Sequence, residues 1–306
     1  MLAYLKIIRP INLLLIILAM VLIKYTLFQP FEISLALTPL SFSILALATI
    51  CIASGGNVIN DIQDVAIDKI NKPHKLIVGK SISEKAAYNY YIFLTSIGVI
   101  LGFIVSNLVQ KPSLAVVFIL VAALLYWYAT FIKSMLLVGN LLISVLVGFS
   151  LLIVVLFDIF PVLNEFDKLL QLLLSKTVLG YAVTAFYFNF MREIVKDIQD
   201  INGDKNGDRT TLPMVIGISR TTTLIFGLGI FSLFMILVFA YNHLYQHTLL
   251  LFYFIFLLGG PLLIFSIKAW NAKKPKDYKL LSLLLKIIMF LGVCSIPFYT
   301  QIIRPL

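Results

Sequence analysis

Apolar residues run through this chain in long blocks separated by short polar ones, and the blocks have the length that crosses a bilayer. Nine stretches of about 20 residues carry almost no charge: roughly 11–29, 36–59, 86–108, 114–132, 136–157, 178–195, 221–241, 248–267 and 280–300. Each predicts a membrane-spanning helix, the structure that satisfies every backbone hydrogen bond within one segment in lipid. The longest polar interruptions fall at about 60–85 and 196–220, with a shorter basic one near 268–279. Asn71-Lys-Pro73 and Asn202-Gly203 are breaker signals that predict the ends of helices two and six. On the opposite side the one long connection is about 158–177. Within it Asn164–Leu174 is amphipathic and reads equally as an interfacial surface helix or as a plain connector. Nothing long and polar divides the spans, so residues 1–306 read as a single domain. The fold class is all-α and integral to the membrane, about nine helices in one bundle.

Composition agrees with this pattern. Of 306 residues 61% are hydrophobic and 12% charged, more apolar surface than a soluble fold can cover. With the N-terminus inside, 18 of the 24 Lys and Arg fall on the inner side, five on the outer, and Lys286 inside the ninth span. That asymmetry predicts a multi-pass protein of the inner (plasma) membrane with its polar loops in the cytoplasm. It also accounts for the net charge of +10 without nucleic acid as a partner; membrane lipids and anionic substrates suit the basic face. The first span lacks a small-residue cleavage pattern and Lys24-Tyr25 interrupts it, so it reads as part of the mature chain. Cys51 and Cys294 both lie within spans and read as small buried apolar residues.

The acidic residues carry the chemical signal. Asp-Ile-Gln-Asp occurs at Asp61–Asp64 and again at Asp197–Asp200, each followed four residues on by a third Asp, Asp68 or Asp204, and then by Lys. Eight of the 14 acidic residues fall in these two segments: the six motif Asp, Glu193 and Asp208. Four crossings separate the motifs, so both emerge on one face of the membrane. On a helix, positions i, i+3 and i+7 project together, which groups Asp61, Asp64 and Asp68 with Asn57 a turn earlier, and Asp197, Asp200 and Asp204 with Glu193. A helix end at Gly203 would instead bring Asp204 in from a loop.

Facing carboxylate clusters suit magnesium, which prefers hard oxygen ligands and shares them with substrate phosphates. Such cations neutralise a diphosphate and stabilise it as a leaving group. Three scattered histidines, His74, His243 and His247, leave no zinc site, and no Ser/His/Asp or Cys/His nucleophile can be assembled. Lys72, Lys75, Lys133, Arg192, Lys196 and Arg209 stand close enough in sequence to hold phosphates, although the inward charge bias explains each as well. Tyr126, Trp127 and Tyr128 before Lys133 fit an interfacial aromatic belt or the stabilisation of an allylic cation. Two rival functions use similar residues. A cation transporter would place its acids nearer the midplane, and a membrane phosphotransferase would leave phosphate on its product.

These motifs resemble the UbiA-type intramembrane prenyltransferase superfamily. Its first signature, Asn-Asp-x-x-Asp-x-x-x-Asp, is met by Asn60-Asp61-Ile-Gln-Asp64-Val-Ala-Ile-Asp68, and its second by Asp197-Ile-Gln-Asp200-Ile-Asn-Gly-Asp204. Arg9-Pro10 before span one, Tyr128 five residues before Lys133, and Asn140 in span five complete the pattern. Arg9-Pro-Ile-Asn12, the run Arg192–Asp204 and Thr211-Leu-Pro213 are most similar to the geranylgeranylglycerol-phosphate geranylgeranyltransferase branch. The loop Asn71–Lys80 departs from the common pattern, with Lys where Arg is usual and no following Pro.

The resemblance implies a polyprenyl transferase. Its donor is a polyprenyl diphosphate, geranylgeranyl in the branch it most resembles, and its acceptor a lipid or an aromatic quinone or pigment precursor. The six motif Asp would be catalytic and hold Mg2+. Asn57, Asn60, Lys133, Tyr128, Arg192, Lys196, Asn12, Arg9 and Asn140 would bind substrate. Ionisation would give an allylic carbocation, and diphosphate would be released.

Overall fold

The computed structural model describes residues 2–303 apart from Lys75 and Asp208. Lys75, Asp208 and Arg304, which entered the charge and acidity readings, therefore lie outside the described residues. Among the described residues nine helices are long and apolar enough to cross a membrane: Pro10–Phe31, Pro39–Gln63, Glu84–Leu108, Pro112–Thr130, Val138–Val162, Lys168–Asn206, Ile218–His243, Thr248–Trp270 and Pro275–Ile303. The chain is an all-α integral membrane protein. An isolated bridge between Val78 and Ile82 is the extent of β pairing among the described residues.

Local sequence explains where the helices begin. Pro10, Pro39, Pro112 and Pro275 stand at their first positions, where a missing N–H costs nothing and the fixed φ is already helical. Thr38 and Ser83 cap spans two and three by accepting the backbone N–H of Ser41 and Ala86. The first span is entered through a short helix, Leu2–Ile7, and a corner at Arg9 with φ 57°. A non-glycine residue there costs about 1–2 kcal/mol. The corner is held by Asn12 N–H donating to Arg9 O at 2.9 Å and by the pairing of the Arg9 side chain described below.

The two motif-bearing helices are the second and the sixth, and small residues bring each against a neighbour. A Cβ on Gly98 would lie 2.5 Å from Ile52, and one on Gly148 would lie 2.7 Å from the Ala182 carbonyl. Spans two and three, and spans five and six, thus approach as only small residues permit, which is how helices gain packing energy in lipid.

Three sequence expectations are corrected. The Asn164–Leu174 segment is no separate surface helix: from Lys168 it forms the first turns of the 39-residue sixth helix, where Gln171 and Leu174 are fully buried. That helix does not stop at Gly203 but runs to Asn206, so Asp204 is helical. Gly203 sits beside Asn71, whose amide occupies the space a side chain would need. The first motif, in contrast, does not lie on one unbroken helix.

Candidate active site

Span two ends at Gln63. Asp64, with φ −89° and ψ 0°, interrupts the helix, which resumes as Val65–Asn71. Backbone bonds run through the interruption, Asp64 N to Asn60 O at 3.0 Å and Asp68 N to Asp64 O at 2.8 Å, so all three Asp still face one cavity. Asp64 is the most heavily engaged. It accepts from Lys133 Nζ, from Arg209 Nη2 and, at 3.0 Å, from Asn60 Nδ2, while Lys133 also donates to Asn60 Oδ1 at 2.8 Å. Burial alone would push the Asp64 carboxyl up, but Lys133 and Arg209 override it and hold it at about 2. Asp61 accepts from Arg9 Nη2 at 2.6 Å. Asp68 makes no ion pair among the described residues, and burial pushes its carboxyl up. Burial likewise lowers the Lys133 ammonium, even beside Asp64.

The second motif stays helical and meets different partners. Asp197 Oδ2 accepts from Asn140 Nδ2 of span five at 2.7 Å. Asp200 Oδ2 accepts from Lys72 Nζ at 2.6 Å, whereas its Oδ1 is buried without a partner. Asp204 takes Arg209 Nη1 at 3.4 Å. A turn earlier, buried Glu193 accepts from Lys196 at 2.7 and 3.0 Å and lies 3.5 Å from Arg192. Asn71 clasps the two motifs: its Nδ2 donates to Asp200 O and its Oδ1 accepts from Gly203 N–H, both at 2.8 Å.

Both motifs open onto one cavity of about 600 Å³, lined also by Arg9, Asn12, Asn57, Asn60, Tyr128, Lys133, Asn140, Arg192 and Lys196. The six motif Asp and the nine expected substrate-binding residues are thus brought to one place, with Lys72 and Arg209 beside them, while Lys75 lies outside the described residues. Some are engaged in ways the spacing did not indicate. Asn57 donates to Ile8 O at 2.9 Å, fastening the N-terminal segment, and Asn12 Oδ1 accepts from Lys286 Nζ at 2.7 Å. The aromatic trio divides: Trp127 is 60% exposed and faces outward, while Tyr128 lines the cavity with its ring centroid 6.0 Å from Lys133 Nζ. Sequence reasoning missed Asn71, Lys286 and the anchoring role of Glu193. Their one signal was a polar residue near or within an apolar run.

Residues 12–292 match the UbiA prenyltransferase family. The chain belongs to that family. The resemblance read from the two Asp signatures is borne out, and the protein is a membrane prenyltransferase. Among its relatives is the digeranylgeranylglyceryl phosphate synthase of Methanosphaera stadtmanae, 34% identical over 225 residues that cover 72% of this prenyltransferase and 71% of that protein. The synthase of the same name from Methanobrevibacter smithii is 30% identical over 304 residues, covering 96% and 99% of the two chains. A UbiA homologue from Archaeoglobus fulgidus, solved with GPP and Mg2+, shares the fold: the TM-score is 0.57 at 12% identity, over 96% of this prenyltransferase and 99% of that chain.

Proposed function

We propose that this prenyltransferase moves a polyprenyl group, geranylgeranyl by preference, from its diphosphate to the free hydroxyl of a glycerol-phosphate ether lipid. The reaction uses magnesium and takes place on the cytoplasmic side of the plasma membrane, within one domain formed by residues 1–306. The observation that carries the reading is the amphiphilic character of the cavity. Its mouth holds the carboxylates and their cations, and Ile52, Phe118, Val121, Leu125 and Ile153 line it deeper in the spans. That is the shape of an anionic head on an isoprenoid tail. The curated relatives, named for a digeranylgeranylglyceryl phosphate product, support the acceptor. The fold neighbour with GPP and Mg2+ supports donor and metal.

The residues present fit magnesium. Among the described residues seven carboxylates and seven basic side chains line the cavity, so a bound diphosphate leaves it negative unless divalent cations accompany it. The donors are hard oxygens, and Asp200 Oδ1 is buried with no protein partner to satisfy it. No group of three or more His, Cys, Asp or Glu among the described residues closes around an ion by itself, which suits an ion that shares its ligands with phosphate and water. Asp61, Asp64, Asp68, Asp197, Asp200 and Asp204 would hold it, and when bound it supplies positive charge to the departing diphosphate.

The remaining work falls to side chains. Lys133, Arg209, Arg9, Arg192 and Lys196, hydrogen-bonded by Asn60 and Glu193 where described above, hold the phosphate oxygens. Asn57, Asn12 and Asn140 fix the segments that carry them. The C–O bond of the prenyl diphosphate breaks, Tyr128 presents its ring to the allylic cation, and the apolar walls exclude water from it. The acceptor oxygen forms the new C–O bond, and its proton leaves with the diphosphate.

The test is diphosphate release by purified protein in detergent, with geranylgeranyl diphosphate, geranylgeranylglycerol phosphate and magnesium. Release that requires all three and is lost in Asp64→Ala, with a product heavier by one geranylgeranyl group, is expected. Turnover confined to an aromatic acceptor would overturn the acceptor assignment.

A further inference from the structure

Beside the main cavity lies a second one of about 460 Å³, between the start of span one and span nine. It is open and mostly apolar in its lining, to which Leu5 and Ile11, 53% and 67% exposed, and Lys6, Arg9, Asn12 and Lys286 contribute. Lys6, Arg9 and Asn12 line both cavities, so the two adjoin. We infer that this second cavity is an anion subsite in which Lys286 receives the phosphate monoester of the acceptor. The inference rests on the phosphorylated acceptor proposed above and adds where its phosphate is recognised.

Lys286 is the unusual element. It lies in an apolar run, Leu283–Met289, of the ninth span, and a cation there is costly unless it is paired or functional. The chain does pair another such residue: Lys24, 5% exposed, sits 2.8 Å from Asp158 Oδ2. Lys286 has no ion-pair partner among the described residues. Its hydrogen bond goes to the neutral Asn12 Oδ1 at 2.7 Å, which leaves further ammonium protons to donate.

Its level in the membrane fits the same role. Lys286 stands about 16 Å along the ninth helix from Pro275, yet it touches Asn12, in the first turn of span one. It therefore lies near the depth at which span one begins, where the headgroup of a membrane-embedded lipid lies while its chain rests on the exposed side chains of Leu5 and Ile11. Arg9, with Nη2 committed to Asp61, retains other guanidinium N–H groups toward the same space.

The test compares Lys286→Met and Lys286→Arg with wild type, using geranylgeranylglycerol phosphate and the same lipid without its phosphate. In wild type the phosphate lowers the acceptor KM. In Lys286→Met the acceptor KM for the phosphorylated lipid rises by at least about tenfold, the donor KM stays at its wild-type value, and the preference for the phosphorylated over the dephosphorylated lipid collapses. Lys286→Arg restores most of that preference. An undiminished preference in Lys286→Met, or a donor KM that rises in step, overturns the subsite. Wild-type protein that transfers nothing to the phosphorylated lipid overturns the acceptor assignment itself, and that result is read before any variant is made.

Discussion

The two Asp-Ile-Gln-Asp segments have the same sequence and different structures. The first is broken at Asp64, and the second runs unbroken through Asp200 and on to Asn206. The difference lies in their partners. Asp64 is drawn to Lys133 from the turn after span four and to Arg209 from the loop after span six, while Asp200 meets Lys72 alone and keeps one oxygen free. A local sequence with no fixed preference between these outcomes is resolved by charge brought from elsewhere in the chain. The pair is therefore asymmetric at its centre: Asp64 of the first motif is pinned by two cations, and Asp200 of the second retains an open oxygen.

The widest separation between the motifs comes from removing their central carboxylates. Asp64→Ala unseats Lys133 and Arg209 together and is expected to lower kcat about 10²–10³-fold at any magnesium concentration. Asp200→Ala removes an oxygen that waits for a cation, so part of its loss is recovered by raising magnesium. Diphosphate release measured across a magnesium series distinguishes them. Identical magnesium responses in the two variants would dissolve the asymmetry.

The clasp between the motifs offers the next test. A Cβ on Gly203 would come within 2.3 Å of Asn71 Nδ2, so Gly203→Ala pushes the clasp open. Overpacking of this kind costs about 1–3 kcal/mol. Asn71→Ala, which loses the two hydrogen bonds without a clash, costs about 1 kcal/mol for each bond. Thermal unfolding in detergent ranks them, and a Gly203→Ala variant as stable as wild type would show that the motifs do not depend on this contact.

The cations that pin the first motif also predict a pH dependence. A carboxyl held at about 2 in the folded protein, below its unfolded value, stabilises the fold fully above about pH 5 and loses that contribution as pH falls through about 4 toward 2. Lys133→Met removes one of the two cations and lets the Asp64 value rise. With chelator present, the wild-type advantage in melting temperature over Lys133→Met is expected to be constant above about pH 5 and to narrow below about pH 4. An advantage that widens on acidification would mean that Lys133 acts on some other group.

Much of this was legible in the chain. Hydrophobic block length gave all nine spans, because bilayer thickness sets helix length independently of tertiary detail. The repeated Asp spacing picked out the carboxylates that line one cavity, because carboxylates are costly beside so much apolar sequence. What escaped depended on contacts between distant residues. Asn202-Gly203 reads as a helix end, yet the helix continues because Asn71, 132 residues away, bonds the Gly203 N–H and fills the space beside it. The amphipathic stretch before span six reads equally as a surface helix or a plain connector until Gln171 is seen reaching across to the Val162 and Ser34 carbonyls at 3.3 and 3.5 Å. The sequence places Lys286 inside the ninth span, and its partner, Asn12, is 274 residues away.

The smallest expected effect tests whether the second motif is positioned or merely present. Asn140 reaches from span five to Asp197 with a single neutral hydrogen bond of 2.7 Å, the lightest tether on any of the engaged motif carboxylates. Losing such a bond costs about 0.5–1.5 kcal/mol, so Asn140→Ala should reduce activity only a few-fold, roughly two- to tenfold. The loss should appear as a weaker apparent affinity for magnesium with kcat nearly retained, because Asp197 keeps its place on an unbroken helix and only its rotamer is released. Asn140→Asp sharpens the point, since it sets a second carboxylate against Asp197 and should weaken magnesium activation further unless the ion binds between them. If Asn140→Ala were instead as damaging as Asp64→Ala, the open second motif would need as rigid a hold as the first, and the contrast between the two would be one of backbone alone.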